Sequence, residues 1–186
     1  SVERLSTGKR INSAKDDTAG IAMATRLNAE IQGLAAASRK AADAQSFVDT
    51  MEGAIQETHK LLLRMRELAV QASNGTLSTS DNLSLDTELT QLSNEIHRIA
   101  RETTWGGTDI LNPHHHGYTS ITFKFNIDSI EVSNPLELYI GSVSGDGLGI
   151  RPDLITLSNA TNARSTISKI DGAISAISEK RGKLGT

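Results

Sequence analysis

The feature that most constrains the fold is an apolar repeat that continues for much of the first half of the chain without a proline. Apolar side chains recur there every three or four positions, which is the period of an α-helix. The repeat predicts one very long helix. Ser13 can cap its start, where Asp16 and Asp17 meet the positive end of the helix dipole. Asn74-Gly75 is typical of a helix end. The repeat comprises Ile21, Ala24, Leu27, Ile31, Leu34, Ala35, Phe47, Met51, Ala54, Ile55, Leu61, Met65, Ala69 and Ala72.

Two further helices and a small β element are predicted downstream. Helical stripes indicate a second helix over residues 80–103, ended by "TTWGGTDILNP", and a third over 155–185. Alternating apolar and polar residues predict short strands within 118–141, as a hairpin or a three-stranded piece. The apolar positions of these strands are Ile121, Phe123, Phe125, Ile127, Ile130, Val132, Leu136, Leu138 and Ile140. The predicted fold class is mainly α, an elongated bundle of long helices with heptad-like packing plus a small β-hairpin element. The second stripe is Leu85, Leu89, Leu92, Ile96 and Ile99; the third is Ala160, Ala163, Ile167, Ile170, Ile174, Ile177 and Leu184.

Composition excludes several functions. The net charge of −3 gives no large positive field, so we expect no nucleic-acid binding. No run approaches the roughly 18 apolar residues that span a bilayer, so no membrane insertion is expected. The chain has no cysteine, which excludes disulfides and thiolate catalysis. Only 3% of the residues are aromatic, so the core must be built from aliphatic side chains.

The residues give little support for an active site. His114, His115 and His116 are consecutive, and imidazoles bind zinc or nickel, which leaves a metal-dependent hydrolase as one alternative. Consecutive residues rarely converge on one ion, and no zinc-protease spacing is present, so a solvated loop is the favoured interpretation. We expect no enzyme activity, no metal site and no cofactor.

The stretch "LLLRMRELAVQ" carries apolar residues on two sides of its helix. Leu61 and Met65 lie on one side with Ala69 and Ala72, whereas Leu63 and Val70 lie well away from them. Leu63 and Val70 are either scattered surface residues, which are common, or a face that another protein covers.

The segments "RLSTGKRINSAKDDTAGIAMATRL", "LLLRMRELAVQASNGT" and "IDGAISAISEKRGKLG" closely resemble the two terminal regions of bacterial flagellin. The resemblance covers roughly residues 1 to 111 and 155 to 186, and residues 112–154 match only loosely. It implies that residues 1–186 form a flagellin inner core domain, with N-terminal helices over 13–103 and an outer variable domain that is nearly absent. Both ends stop inside helical patterns, so we expect a monomeric fragment that lacks the family's terminal polymerising helices.

What the resemblance implies about function is a structural subunit of the flagellar filament, secreted and used for motility. Implied partners are other flagellin subunits, an export chaperone and a cap protein. The alternative is a hook–filament junction protein or another flagellin-like helical protein of the cell surface.

The resemblance also implies recognition by the animal Toll-like receptor that detects flagellin. Arg64, Leu68 and Gln71 fall on one stripe at i, i+4 and i+7, beside the predicted core face. The resemblance implies that Arg64, Leu68 and Glu88 of the second helix correspond to the family's key arginine, leucine and glutamate. With Gln71 they form the predicted receptor or subunit interface. The alternative is an exposed arginine paired with a helix glutamate, which contributes little.

Overall fold

A computed structural model of the chain describes residues 18–112, 121–123, 136–138 and 141–185. The chain divides into two compact units, Ser1–Ala44 with Phe123–Leu136 and Gln45–Thr122 with Glu137–Thr186. The fold is mainly α, as the sequence predicts. In chain order the described elements are α1 (Thr18–Ser73), α2 (Thr79–Glu102), β1 (Thr104–Trp105), β2 (Thr108–Asp109), β3 (Ile121–Phe123), β4 (Leu136–Leu138), α3 (Gly145–Leu148) and α4 (Ala160–Leu184).

Helix α1 is 56 residues long, which confirms the long helix that the apolar repeat predicts. Gly75 follows it with a φ of 71°, a left-handed conformation that glycine adopts without a Cβ clash. The predicted end at Asn74-Gly75 is therefore confirmed. The predicted start, with Ser13, Asp16 and Asp17, lies outside the described residues.

Helix α2 begins with a capping box. The Ser78 hydroxyl accepts a hydrogen bond from the Asp81 backbone N–H at 3.2 Å, and the Asp81 carboxylate accepts one from the Ser78 backbone N–H at 3.1 Å. This exchange satisfies two backbone donors that a helix start otherwise leaves without partners. The observed bounds of α2 agree with the predicted 80–103 within the usual uncertainty of helix ends.

The face of α2 that is buried differs from the predicted seam. Leu89 and Ile96 are buried as expected, but Leu92 is only half-buried and Ser93 is buried in its place. The Ser93 hydroxyl donates a hydrogen bond of 2.7 Å to the carbonyl oxygen of Ile150, so the core accepts this polar side chain. The predicted leucine and isoleucine seam is therefore confirmed at Leu89 and Ile96, but the buried face also includes Ser93, which a count of apolar residues leaves out. The half-buried members of that seam are Leu85, Leu92 and Ile99.

A small hairpin follows α2. Thr104 pairs with Asp109 and Trp105 with Thr108, in antiparallel register. Gly106 and Gly107 form the two-residue connection with φ values of 57° and 82°, which suits the twist of a tight hairpin. The Trp105 ring packs edge-on against Phe47 of α1, with centroids 5.8 Å apart. The paired glycines predict only a break in the helical pattern, so this hairpin was not predicted from the sequence.

The predicted β element over 118–141 is present as a two-stranded sheet formed by β3 and β4. Ile121–Phe123 and Leu136–Leu138 are its described strands. The remaining predicted strand positions, at Phe125, Ile127, Ile130, Val132 and Ile140, lie outside the described residues.

Helix α4 begins at Ala160, so the predicted start at residue 155 was wrong. The segment before it is not helical and forms hydrogen bonds with two helices. The Leu157 backbone N–H donates to the Asp86 carboxylate of α2 at 2.5 Å. The backbone N–H of Thr156 donates to the Thr166 hydroxyl of α4, and that hydroxyl donates back to the Thr156 carbonyl oxygen. These bonds hold the backbone in a non-helical path that apolar periodicity does not reveal.

The core lies mainly between α1, α2 and α4. Among the side chains that the structure describes, the large ones with the least exposure are aliphatic except for Phe47, as the aromatic-poor composition predicts. Thr58, Ser93 and Thr166 are buried polar residues, each with a hydrogen bond to a backbone oxygen. The largest buried side chains are Phe47, Met51, Ile55, Leu62, Met65, Leu68, Leu89, Ile96, Leu111, Ile150, Leu157 and Ile170.

Candidate interaction surface

Two arginines on α1 reach in different directions toward two neighbouring helices. Arg64 contacts Glu88 of α2, and Arg66 contacts Asp171 of α4, each with a closest nitrogen–oxygen distance of 2.7 Å. Positions two residues apart on a helix point about 200° apart at 100° per residue. The stretch "RMRE" therefore lies between two packed helices, with Met65 buried between its arginines.

A second ion pair fixes how α4 lies on α1. Arg181 contacts Glu52 at 2.7 Å. Asp171 faces Arg66 and Arg181 faces Glu52, so the chain positions rise on one helix as they fall on the other. Helix α4 is therefore antiparallel to this part of α1.

The Arg64 guanidinium is held by two carboxylates. Its Nε and one terminal nitrogen donate to Glu88 Oε1 at 3.0 and 2.7 Å, and its other terminal nitrogen donates to Glu67 at 3.2 Å. These hydrogen bonds, the one to Glu88 first, raise the pKa of Arg64 above its usual value. About half of the Arg64 side chain is exposed, so solvent and salt screen the pair. The arrangement fixes the position of a charged group on the surface more than it stabilises the fold.

Leu68 does not lie on the surface with Arg64. Its exposure is 1%, so the prediction that it lies beside the core face was wrong. The buried face of α1 is wide because α2 and α4 both cover it, and Leu62, Met65, Leu68 and Ala69 all fall within it. The predicted position of Leu68 rests on a narrow buried stripe that a single neighbouring helix covers.

Three predicted interface residues, Arg64, Gln71 and Glu88, remain accessible. Glu88 is brought to Arg64 by the α1–α2 turn, although 24 residues separate them in sequence. Gln71 lies two helical turns beyond Arg64 and is exposed. Leu68 is therefore removed from the predicted interface. Arg64, Gln71 and Glu88 stay in it as accessible residues.

Leu63 and Val70 form a second apolar face on α1. They are 44% and 40% exposed, and their spacing of seven residues puts them on one side of the helix, opposite the core. This placement agrees with the two-sided pattern in the sequence.

The first part of α1, in the other compact unit, carries its own exposed apolar stripe. Met23, Leu27, Ile31 and Leu34 are each about half exposed or more, and they recur at intervals of four, four and three residues. Exposed apolar residues in a continuous helical stripe mark a surface that another helix can cover.

Within the described ranges, no cluster of histidine and carboxylate side chains is arranged to hold a metal ion. The triplet His114, His115 and His116 lies outside those ranges. None of the helices in the part of the chain that the structure describes is long and apolar enough to cross a membrane.

Two ion pairs in this part of α1, Arg64–Glu67 and Arg66–Asp171, were not predicted from the sequence. The spacing of Arg64 and Glu67 is a helical i, i+3 pair and could have been found from the sequence. The Arg66–Asp171 contact joins residues 105 positions apart, and no local pattern signals it.

These features define a protein of packed helices that presents charged and apolar side chains on its exposed helix faces. Residues 1–115 match the family described as bacterial flagellin N-terminal helical region. The chain is 33% identical to flagellin FlaB1 of Treponema pallidum over 99% of its own length and 67% of that protein. It is 38% identical to the flagellin of Halalkalibacterium halodurans, of which it covers 65%, and 50% identical to flagellin A of Vibrio anguillarum, of which it covers 30%.

A solved structure agrees with these sequence relatives. The crystal structure of Bacillus cereus flagellin superposes with a TM-score of 0.65 at 31% identity, over 77% of this chain and 78% of that one. The chain belongs to the bacterial flagellin family. It spans two thirds or less of the length of the relatives named above.

Proposed function

We propose that the chain is a structural subunit of the bacterial flagellar filament and serves motility from outside the cell. Its family membership supports this role, and a structural role accounts for the described residues better than an enzymatic one. Other flagellin subunits are its proposed partners. An export chaperone and a cap protein are further partners that membership in the family suggests.

The observation that carries the proposal is the second apolar face of α1. Leu63 and Val70 are large apolar side chains that α2 and α4 leave open. Burial of an apolar side chain stabilises by about 1.5–3 kcal/mol, so such a face favours association. In a filament, a neighbouring subunit would cover it.

The test is expression of the encoding gene in a bacterium that lacks its own flagellin, with filaments observed by electron microscopy and swimming measured. Leu63→Asp with Val70→Asp should abolish filaments while purified protein keeps its helicity. Gln91→Asp is the control because it also puts aspartate at an exposed helical position. Normal filaments from the double variant would remove this face from the proposal. No filaments from the unaltered gene would contradict the filament role itself.

A second proposed function is recognition by the animal Toll-like receptor that detects flagellin. The observation that favours it is the bond between Arg64 and Glu88, since it joins residues from two helices into one accessible charged group. Arginine is a frequent interface anchor because its planar head donates several hydrogen bonds while its stem packs. Gln71 extends the same surface, whereas the buried Leu68 would support it from beneath.

Receptor binding and signalling should fall on Arg64→Ala, Gln71→Ala and Glu88→Ala, with helicity unchanged. Arg66→Ala is a matched control, because Arg66 is an equally exposed arginine with a carboxylate partner on α4. Equal binding by all four variants, or no binding by the unaltered chain, would contradict receptor recognition and leave the filament proposal intact.

A further inference from the structure

The turn after α1 contains the sequence Asn74-Gly75, and this is the one place in the chain where glycine follows asparagine. A backbone nitrogen that follows asparagine can attack the side-chain amide carbon. Glycine makes this attack easiest because it has no side chain to obstruct the ring that forms. Asn74 and Gly75 are both exposed, and both lie beyond the last helical residue, Ser73.

Two aspartate–glycine pairs could undergo the related isomerisation, but their surroundings in the structure differ from those of Asn74-Gly75. Asp171-Gly172 lies inside α4, where the backbone is held by the helical hydrogen-bond ladder. In Asp146-Gly147, the Gly147 N–H donates to the Ser144 hydroxyl at 3.4 Å. A Cβ on Gly147 would lie 2.6 Å from the Ser142 Cβ, so this backbone is closely packed. Neither pair has the freedom to close a ring.

We propose that Asn74 is a site of spontaneous deamidation, which converts it to a mixture of aspartate and isoaspartate. The Gly75 backbone nitrogen loses its proton and forms a bond to Asn74 Cγ. The bond from Cγ to Nδ2 breaks, and the side-chain nitrogen leaves as ammonia. Water then opens the resulting succinimide at one of its two carbonyl carbons. The reaction needs water alone and involves no oxidation or reduction.

Both products disturb the turn. Each adds a negative charge just beyond the C-terminal end of α1, where the helix dipole is also negative. In isoaspartate the main chain runs through Cγ, which lengthens the backbone by one methylene. The turn also lies next to α4, since a Cβ on Gly75 would be in ordinary contact, at 3.8 Å, with the Ala160 Cβ at the start of that helix. Deamidation should therefore shift α2 relative to α1 and loosen the Arg64–Glu88 contact.

The experiment incubates the folded chain at neutral and mildly alkaline pH and follows peptide masses over time. A synthetic peptide covering residues 70–79 is incubated in parallel as the unprotected reference. Asn74 should gain about one mass unit as its amide becomes a carboxyl group. The folded rate should lie within about tenfold of the peptide rate, because exposed turns open at little free-energy cost. Labelling by an isoaspartate-specific methyltransferase should appear with the same time course.

Asn82 and Asn94 are internal controls because both lie within α2 and precede residues larger than glycine. Asn74→Gln should lose the mass change and the methyltransferase label while it keeps the fold. A folded rate more than tenfold below the peptide rate, or a label that persists in Asn74→Gln, would overturn the proposal.

Discussion

Truncation of leucines on α2 measures which face of that helix is in the core. Leu89 is fully buried, whereas Leu92, three residues later, is half-buried. Replacing leucine by alanine removes three carbon groups at about 0.8 kcal/mol each, and a buried site adds a cavity penalty. We expect Leu89→Ala to lower the free energy of unfolding by about 2–5 kcal/mol. Leu92→Ala should cost about 1 kcal/mol, since water already reaches part of that side chain.

The assay is urea unfolding followed by helical circular dichroism and by the fluorescence of Trp105, the single tryptophan in the chain. Trp105 packs edge-on against Phe47, so its emission reports the contact between the hairpin and α1. Coincident transitions from the two signals would justify a two-state analysis. If Leu92→Ala costs as much as Leu89→Ala, the leucine seam predicted from the sequence is right and the observed orientation of α2 is wrong.

Three other changes test local features of the fold. Ser93→Ala should cost about 1–3 kcal/mol, because it leaves the buried carbonyl oxygen of Ile150 without its donor, and the same urea titration measures it. Gly53→Ala should stabilise the protein by about 0.5–1 kcal/mol, since a Cβ there meets no atom within 4 Å, and thermal unfolding checks it. The Ser78 hydrogen bonds hold the pKa of Asp81 below its usual value, so this carboxylate stabilises the native state above the unfolded pKa. That contribution is lost as the pH falls through the native pKa. Asp81→Asn should therefore weaken the fall in the free energy of unfolding at acidic pH.

The serine and glycine changes each have a matched control. Ser84→Ala removes an exposed hydroxyl from the same helix and should change little. Gly147→Ala should destabilise, because its Cβ would overlap Ser142, in contrast to Gly53→Ala. Equal effects for the two serines or for the two glycines would contradict the packing described here. An unchanged acid slope in Asp81→Asn would show that the capping box does not link stability to pH.

The sequence predicts helices well where one signal is strong and local. The apolar repeat and Asn74-Gly75 give the body and the end of α1 because helix period and left-handed glycine are properties of neighbouring residues. The presence of strands β3 and β4 follows from alternation in the same way. The bounds of α2 also emerge from local periodicity.

Two of the errors share a physical cause, which is that polar groups form hydrogen bonds with distant partners. The Ser93 hydroxyl donates to the carbonyl oxygen of Ile150, and the Leu157 backbone N–H donates to Asp86. Both bonds join residues far apart in sequence, so a count of apolar residues leaves Ser93 out of the buried face of α2 and starts α4 too early. Leu68 was misplaced because the number of helices that cover α1 cannot be read from α1 itself.

The central claim is that this flagellin-family chain assembles into filaments through faces that its own helices leave open. The most direct measurement is an electron cryomicroscopy map of filaments produced by a flagellin-deficient bacterium that expresses the encoding gene. Leu63 and Val70 should be covered by a neighbouring subunit in that map. Filaments in which both side chains face solvent, or a strain that makes no filaments, would contradict the claim.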